Sequence, residues 1–257
     1  MLGNKFITAL PFDTGKNRQH MAASVSLGEP NRLFSQKESV SGAQRVVGLV
    51  VAGGGTGGHL FPGIAIAEEL LKRNTANHVC FIGTGNPFEK AVLGSKGFDH
   101  EQIRIQGIKG RGLIQQLSAL MQLPGSIRHS IAILKKKGPD MVLGLGGYSA
   151  GPVVIGAWLL GIPRVLHEQN VLPGITNRFL AVFANRIYVS FENTRFKRCK
   201  QKLQVTGNPV RKEFLESIGS SAEPNDEKLQ QKRSAFTVLI VGGSQGAHGI
   251  NMAVVDA

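Results

Sequence analysis

The feature that most constrains the fold is a short apolar run, Val46-Val47-Gly48-Leu49-Val50-Val51-Ala52, that ends in glycines and leads into a helix. A run this short and this continuously apolar suits a strand covered on both faces. Pro62 is read as opening the helix, which continues through Leu71 with Ile64, Ala67, Leu70 and Leu71 at helical spacing. The alternation then repeats. His78 to Gly83 reads as a strand, Pro87 to Lys96 as a helix and Glu101 to Gln106 as a strand. A long helical region with a break at Pro124-Gly125 leads to the strand Met141 to Leu145. Val153 to Leu160 and Ile175 to Phe183 read as helices, and Arg164 to His167, Arg186 to Val189 and Leu203 to Thr206 as strands. Helices between short apolar strands imply right-handed crossovers and a parallel sheet, so the chain is α/β.

Residues 1–44 lack sustained periodicity and are rich in Ser, Asn, Gln and Gly. They read as a disordered extension or as sequence upstream of the true start, with Met21 as an alternative start; a transit peptide is a minor option. Residues 45–206 read as one Rossmann-like domain. A polar, charge-rich stretch from Ser217 to Ser234 precedes another strand, Thr237 to Val241, which runs into Gly242-Gly243-Ser244-Gln245-Gly246-Ala247. Residues 207–257 are therefore expected to begin a second α/β domain without finishing it.

The formal charge of +13 favours an anionic partner such as nucleic acid, phospholipid or a pyrophosphate substrate. Cys80 and Cys199 have neither metal spacing nor a disulfide framework, which points to a reducing compartment. No apolar stretch approaches the ~20 residues that span a bilayer, so a soluble or peripheral protein is expected.

Four clusters at strand ends carry the chemistry. The first is Gly53-Gly54-Gly55-Thr56-Gly57-Gly58-His59. Glycines let the backbone approach a ligand, and N–H groups at a helix start favour anions. No Gly-Lys-Ser/Thr follows, so this is not a P-loop, and no acidic residue ends the second strand as a dinucleotide fingerprint requires. His59 faces the cleft in this reading, where a neutral imidazole accepts a proton from a sugar hydroxyl; a capping or packing histidine is the alternative. The second cluster, Gly144 to Pro152, holds Tyr148, which either stacks on a ring, holds a phosphate or simply packs. The third is His167-Glu168-Gln169-Asn170, four adjacent polar side chains that are costly to bury without partners. The fourth, Gly207-Asn208-Pro209-Val210-Arg211, offers a guanidinium to a diphosphate, or an ordinary surface arginine. Ser244 and Gln245 are placed to meet a nucleotide.

Between Glu101 and Asp140 no acidic residue occurs, whereas Arg104, Lys109, Arg111, Arg128 and Lys135 to Lys137 are basic around Leu113, Ile114, Leu117, Leu120, Met121 and Leu123. This suits either adhesion to anionic lipid or a core helix with a solvated basic side. With 6% aromatic residues and no nucleic-acid-binding motif, nucleic acid is not expected as a partner.

The series GGGTGGHLFPGIAIAEEL, GLGGYSAGP, HEQN, GNPVR and GGSQGA resembles, in order and interval, the MurG family of UDP-N-acetylglucosamine transferases, from about Arg45 to the last residue. The resemblance implies a GT-B fold, with two Rossmann-like domains facing a cleft, on the cytoplasmic face of the membrane as a peripheral protein. It implies transfer of N-acetylglucosamine, with inversion, from UDP-N-acetylglucosamine to the 4-hydroxyl of undecaprenyl-linked N-acetylmuramyl-pentapeptide (lipid I). Thr56, Gly57, Gly58, Asn170, Arg211 and Ser244 would contact the sugar nucleotide. His59 would be the general base, and Glu168 a second catalytic residue orienting the reacting groups. Tyr148, Gln169 and Gln245 are further candidates. No cofactor is implied, and the lack of an Asp-x-Asp motif argues against a metal-dependent transferase.

Two departures stand out. Ala150 occupies a place where the family usually carries serine. The part of the family that follows GGSQGA, with the uracil and ribose contacts, is not in this sequence. The expectation is a complete acceptor-binding domain and a truncated donor domain, which alone transfers little sugar. Rival readings are another lipid-directed GT-B transferase and a non-catalytic module that binds membrane or lipid precursor.

Overall fold

A computed structural model of the chain describes residues 45–103, 113–219, 240 and 248–255. The strands are β1 (Gly48–Gly53), β2 (His78–Gly83), β3 (Asp99–Gln102), β4 (Met141–Gly146), β5 (Arg164–Glu168), β6 (Arg186–Val189) and β7 (Leu203–Val205). Between them lie α1 (Gly57–Arg73), α2 (Pro87–Ser95), α3 (Leu113–Lys137), α4 (Ala150–Leu159) and α5 (Ile175–Leu180), followed by α6 (Lys212–Gly219). These belong to one compact unit, Arg45–Ser220, and a further helix, α7 (His248–Val255), belongs to another. The expected strand Thr237 to Val241, Ser244, Gln245 and residues 1–44 lie outside the described residues, Ile240 excepted.

All seven strands pair in parallel, in the order β3-β2-β1-β4-β5-β6-β7. The order reverses beside β1, so the chain leaves β1 toward one edge and returns at β4 to build the other. Side-chain alternation divides the core accordingly. Leu49, Val51, Phe81, Leu143 and Leu145 pack with Leu60, Ile64 and Ala67 of α1 and Leu93 of α2. Val50, Ala52, Ile82, Val142 and Leu166 pack on the other face with Ile133, Leu134, Val153, Val154, Ala157 and Leu180 of α3, α4 and α5. Two covered faces are the reason β1 reads as an unbroken apolar run.

Several boundaries differ from the sequence reading. Helix α1 starts at Gly57, so Pro62 lies inside it. The two glycines add no side chains to the periodicity, and the first one is where the Phe61 ring packs, 2.9 Å from the place a Cβ would occupy. Helix α3 runs unbroken through Pro124 and Gly125, both exposed, so the ring and the missing N–H fall on the solvent side. Its later half is a core helix: Ile133 and Leu134 are buried, while Lys136 and Lys137 pair with Glu101, and Lys137 also with Asp99. Arg104, Lys109 and Arg111 lie outside the described residues. Helix α6 was not read from the sequence, because it overlaps the polar stretch that begins at Ser217.

Close backbone approach positions the strand ends. A Cβ on Gly63 of α1 would lie 2.6 Å from Leu145 Cδ1 and 2.9 Å from Val51 Cγ1, so α1 is held tight against the sheet at the switch point. The Gly63→Ala variant is expected to lose about 1–3 kcal/mol by overpacking against stiff neighbours, read from denaturant unfolding with an unchanged m-value. On the opposite face of the sheet, burial pushes the Cys80 thiol up to about 12, with Asp99 adding to the effect. Iodoacetamide at neutral pH is accordingly expected to label Cys199 in the folded protein and Cys80 only after unfolding, as read by peptide mass spectrometry.

Candidate functional site

Since every strand is parallel, the turns after β1, β4 and β5 open on one edge of the sheet, and the first two flank the reversal of strand order. Ligands of open α/β sheets bind in the crevice at such a point. The β1–β4 register shifts between Ala52, opposite Gly144, and Gly53, opposite Gly146, leaving Leu145 as an extra residue. This bulge brings the two turns into contact. Gly53 has φ 144°, and a Cβ there would sit 2.8 Å from the Gly146 carbonyl; one on Gly147, φ 76°, would sit 2.9 Å from the Gly54 carbonyl. Only glycine meets both the positive φ and the close approach.

The first turn is clamped from α2. Asn86 caps that helix by accepting the Glu89 N–H at 2.8 Å. Glu89 then reaches out of the helix, 3% exposed, to accept from Gly85 N–H at 2.7 Å, the Thr84 hydroxyl at 3.1 Å and Gly55 N–H. Sequence reading missed this residue; its signal was a single buried-face acid after an Asn-Pro helix start. With Gly55 committed to Glu89, the N–H groups of Gly57 and Gly58, in the first turn of α1, are the ones left by helix geometry for an anion.

His59, half-buried, lies over the second turn. Its Cε1 and Cδ2 are 3.2 and 3.6 Å from where side chains on Gly146 and Gly147 would be. Its Nδ1 lies 3.3 Å from Gln169 Oε1, and Nε2 has no hydrogen-bond partner among the described residues. Gln169 Nε2 in turn lies 3.2 Å from His167 Nδ1, and His167 Nε2 lies 3.2 Å from the Gly207 carbonyl. His167 is 2% exposed, and burial pushes its pKa below the ordinary histidine range, although the Gly207 carbonyl and Glu168 pull the other way.

Glu168 is 1% exposed, and both its carboxylate oxygens are occupied. Oε1 accepts from the backbone and side-chain amides of Asn170, each at 3.0 Å; Oε2 accepts from Gly174 N–H at 3.0 Å and Asn177 Nδ2 at 2.9 Å. This carboxylate shapes the loop between β5 and α5, and Asn170 is exposed at the loop's rim. Asn177, buried on α5 and also bonded to the His167 carbonyl at 3.2 Å, is a second residue missed from sequence; one isolated polar position in a short helix gave no signal.

Tyr148 is 38% exposed in the turn after β4. Ser149 and Ala150 beside it are fully buried, and the Ser149 hydroxyl has no partner among the described residues. Arg211 stacks on Phe61, 4.4 Å from the ring centroid, and on Phe214 at 4.8 Å. Since Phe61 packs on Gly57, this guanidinium stands beside the start of α1. Thr56, Gly57, Gly58, His59, Gln169 and Arg211 are thus gathered around two adjoining turns, with Asn170 and Tyr148 at the rim. Among the described residues no group of three or more His, Cys, Asp or Glu is assembled as a cation would require.

Residues 49–189 match the family model described as the glycosyltransferase family 28 N-terminal domain. The chain is 46% identical over 211 residues to a UDP-N-acetylglucosamine--N-acetylmuramyl-(pentapeptide) pyrophosphoryl-undecaprenol N-acetylglucosamine transferase of Syntrophus aciditrophicus, covering 82% of this chain and 56% of that one. The namesake from Myxococcus xanthus is 42% identical over 209 residues, 81% of this chain and 52% of the relative. Among solved structures, MurG of Acinetobacter baumannii is 31% identical with a TM-score of 0.54, covering 70% of this chain and 50% of that one. The chain spans about half the length of these relatives. By the match over residues 49–189, which includes the first three of the four clusters, the chain belongs to the glycosyltransferase family 28 N-terminal domain family.

Proposed function

We propose that this chain is the acceptor-side part of an inverting transferase that moves N-acetylglucosamine from UDP-N-acetylglucosamine to the 4-hydroxyl of undecaprenyl-linked N-acetylmuramyl-pentapeptide. The observation that carries this reading is His59, held by Gln169 over the β4 turn at the sheet's switch point. In the transfer the acceptor oxygen bonds to the anomeric carbon and gives its proton to His59, while the bond to the diphosphate breaks and its electron pair leaves on UDP. Thr56, the Gly57 and Gly58 amides and Arg211 bear on the departing diphosphate, with Asn170 on the sugar nucleotide. Glu168 acts through the loop that carries Gln169 and Asn170. The unit Arg45–Ser220 supplies the acceptor domain, in place of the boundary at 206 expected from the sequence.

The second element of the proposal is a peripheral position on the cytoplasmic face of an anionic membrane. No described helix is long and apolar enough to cross a bilayer. Trp158, Leu159, Leu172, Ile175, Phe179 and Val182 are nonetheless between 45% and 71% exposed on α4, α5 and their flanks. Trp158 and Phe179 both pack against Phe183, at 5.0 and 5.6 Å between centroids, and Arg178 adds a cation on the same helix. Such a patch suits the boundary between headgroups and acyl chains.

The activity is tested with the chain extended beyond Ala257 by the remaining part of the Syntrophus aciditrophicus relative, using radiolabelled UDP-N-acetylglucosamine and a lipid-linked acceptor. Transfer to the muramyl lipid and not to diacylglycerol is expected, and His59→Gln should lower kcat by about 10²–10⁴-fold. Activity unaffected by that substitution would remove His59 from the mechanism. For the membrane, vesicle sedimentation of Trp158→Ser combined with Phe179→Ser should show binding to phosphatidylglycerol vesicles at least about tenfold weaker, since immersing one such side chain contributes about 1.5–3 kcal/mol. Equal binding of variant and parent would place the contact elsewhere.

A further inference from the structure

The three polar contacts that run from His59 to Gly207 have a direction. A carbonyl oxygen has no proton to give, so the proton between Gly207 and His167 sits on His167 Nε2. His167 is buried and its pKa is depressed, so it is the neutral imidazole, and its Nδ1 is then a bare lone pair. The group facing that lone pair at 3.2 Å must be a donor, which orients the Gln169 amide with its NH2 toward His167. The Gln169 Oε1 is thereby turned to His59 and accepts from its Nδ1. A neutral His59 that donates through Nδ1 has its lone pair on Nε2.

We propose that Gln169 and His167 are positioning residues: a one-way hydrogen-bond chain anchored on the Gly207 carbonyl holds His59 as its Nδ1–H tautomer and leaves Nε2 as the proton acceptor. This rests on the reading of His59 as the general base. It adds which nitrogen works and what sets it.

The partner of His59 is a neutral amide. The nearby acid, Glu168, spends both oxygens on Asn170, Gly174 and Asn177. The chain therefore stabilises an imidazolium less than a carboxylate partner would, and its work is to choose the tautomer and aim the ring. An amide cannot relay a proton onward, so the proton taken at Nε2 stays on His59 until solvent or product removes it, and the Nδ1–H to Gln169 bond survives the step unchanged. The same geometry bears on the glycine beneath the ring: a Cβ at Gly146 would lie 3.2 Å from His59 Cε1 and press the ring off Gln169.

The test is nitrogen NMR of imidazole-labelled protein at a pH above the histidine titrations, with the His59 signals assigned by their loss in His59→Gln and the His167 signals by their loss in His167→Gln. The expected spectrum has a protonated Nδ1 and bare Nε2 at His59, and the opposite at His167. Gln169→Met should shift His59 toward the Nε2–H form that free imidazole side chains favour. Gln169→Glu, which restores an acceptor for Nδ1–H, should keep the parent tautomer. A His59 that is Nε2–H in the parent, or that is unmoved by Gln169→Met, overturns the proposal. In the extended enzyme, Gln169→Met is expected to lower kcat at least about tenfold with KM within about twofold, as loss of correctly protonated base requires; a change in KM alone also overturns it. The spectra report on the hydrogen-bond chain whether or not His59 is the base, whereas His59→Gln kinetics report on the base alone, so the two readings fail separately.

Discussion

Everything at this site depends on two backbone turns touching. The β1 and β4 turns meet across the point where strand order reverses, with Gly53 against the Gly146 carbonyl and Gly147 against that of Gly54. Side chains at Gly53 or Gly147 would hold the turns apart, and one at Gly146 would press on the His59 ring. The bulge at Leu145 makes the contact possible and also delivers the Leu145 side chain to Gly63, where α1 comes closest to the sheet. Helix start, histidine and turn are therefore set by one packing arrangement instead of by separate local preferences.

Two buried carboxylates then fix the loops around that contact. Glu89 binds amides of the β1 and β2 turns from α2, and Glu168 binds the loop between β5 and α5. A buried carboxylate tolerates its environment only if donors satisfy it, and both are satisfied by loop backbone that would otherwise lack partners. The acids nearest the site thus serve as loop organisers, while His59 Nε2 has no hydrogen-bond partner among the described residues. The neutral, buried His167 continues this logic, since a charge there would face the Gln169 amide from the wrong side.

Charge distribution follows a similar division. The sequence shows an unbroken basic interval from Glu101 to Asp140, yet part of it is engaged by acids on β3 and the later half of α3 faces the core. Among the described residues, a cluster of exposed apolar side chains lies on α4 and α5, around Trp158 and Phe179. Those residues sit in runs that read from the sequence only as helices, because periodicity reports which residues are apolar and not whether something covers them.

By itself the sequence determined the α/β class and the strand–turn–helix placement of the glycine clusters, since a doubly covered strand must be an apolar run and a βα turn must bend within a few residues. It also singled out His59, Gln169 and Arg211, as polar groups at strand ends. Tertiary structure alone decided the strand order, the contact between turns separated by some ninety residues, and the partner of each polar atom. It turned Glu168 inward, brought in Glu89 and the Gly207 carbonyl from distant segments and Asn177 from the next helix, and set Gln169 between His59 and His167. Those are relations across the sheet's edge, and the periodicity of a single segment carries no information about what stands opposite it.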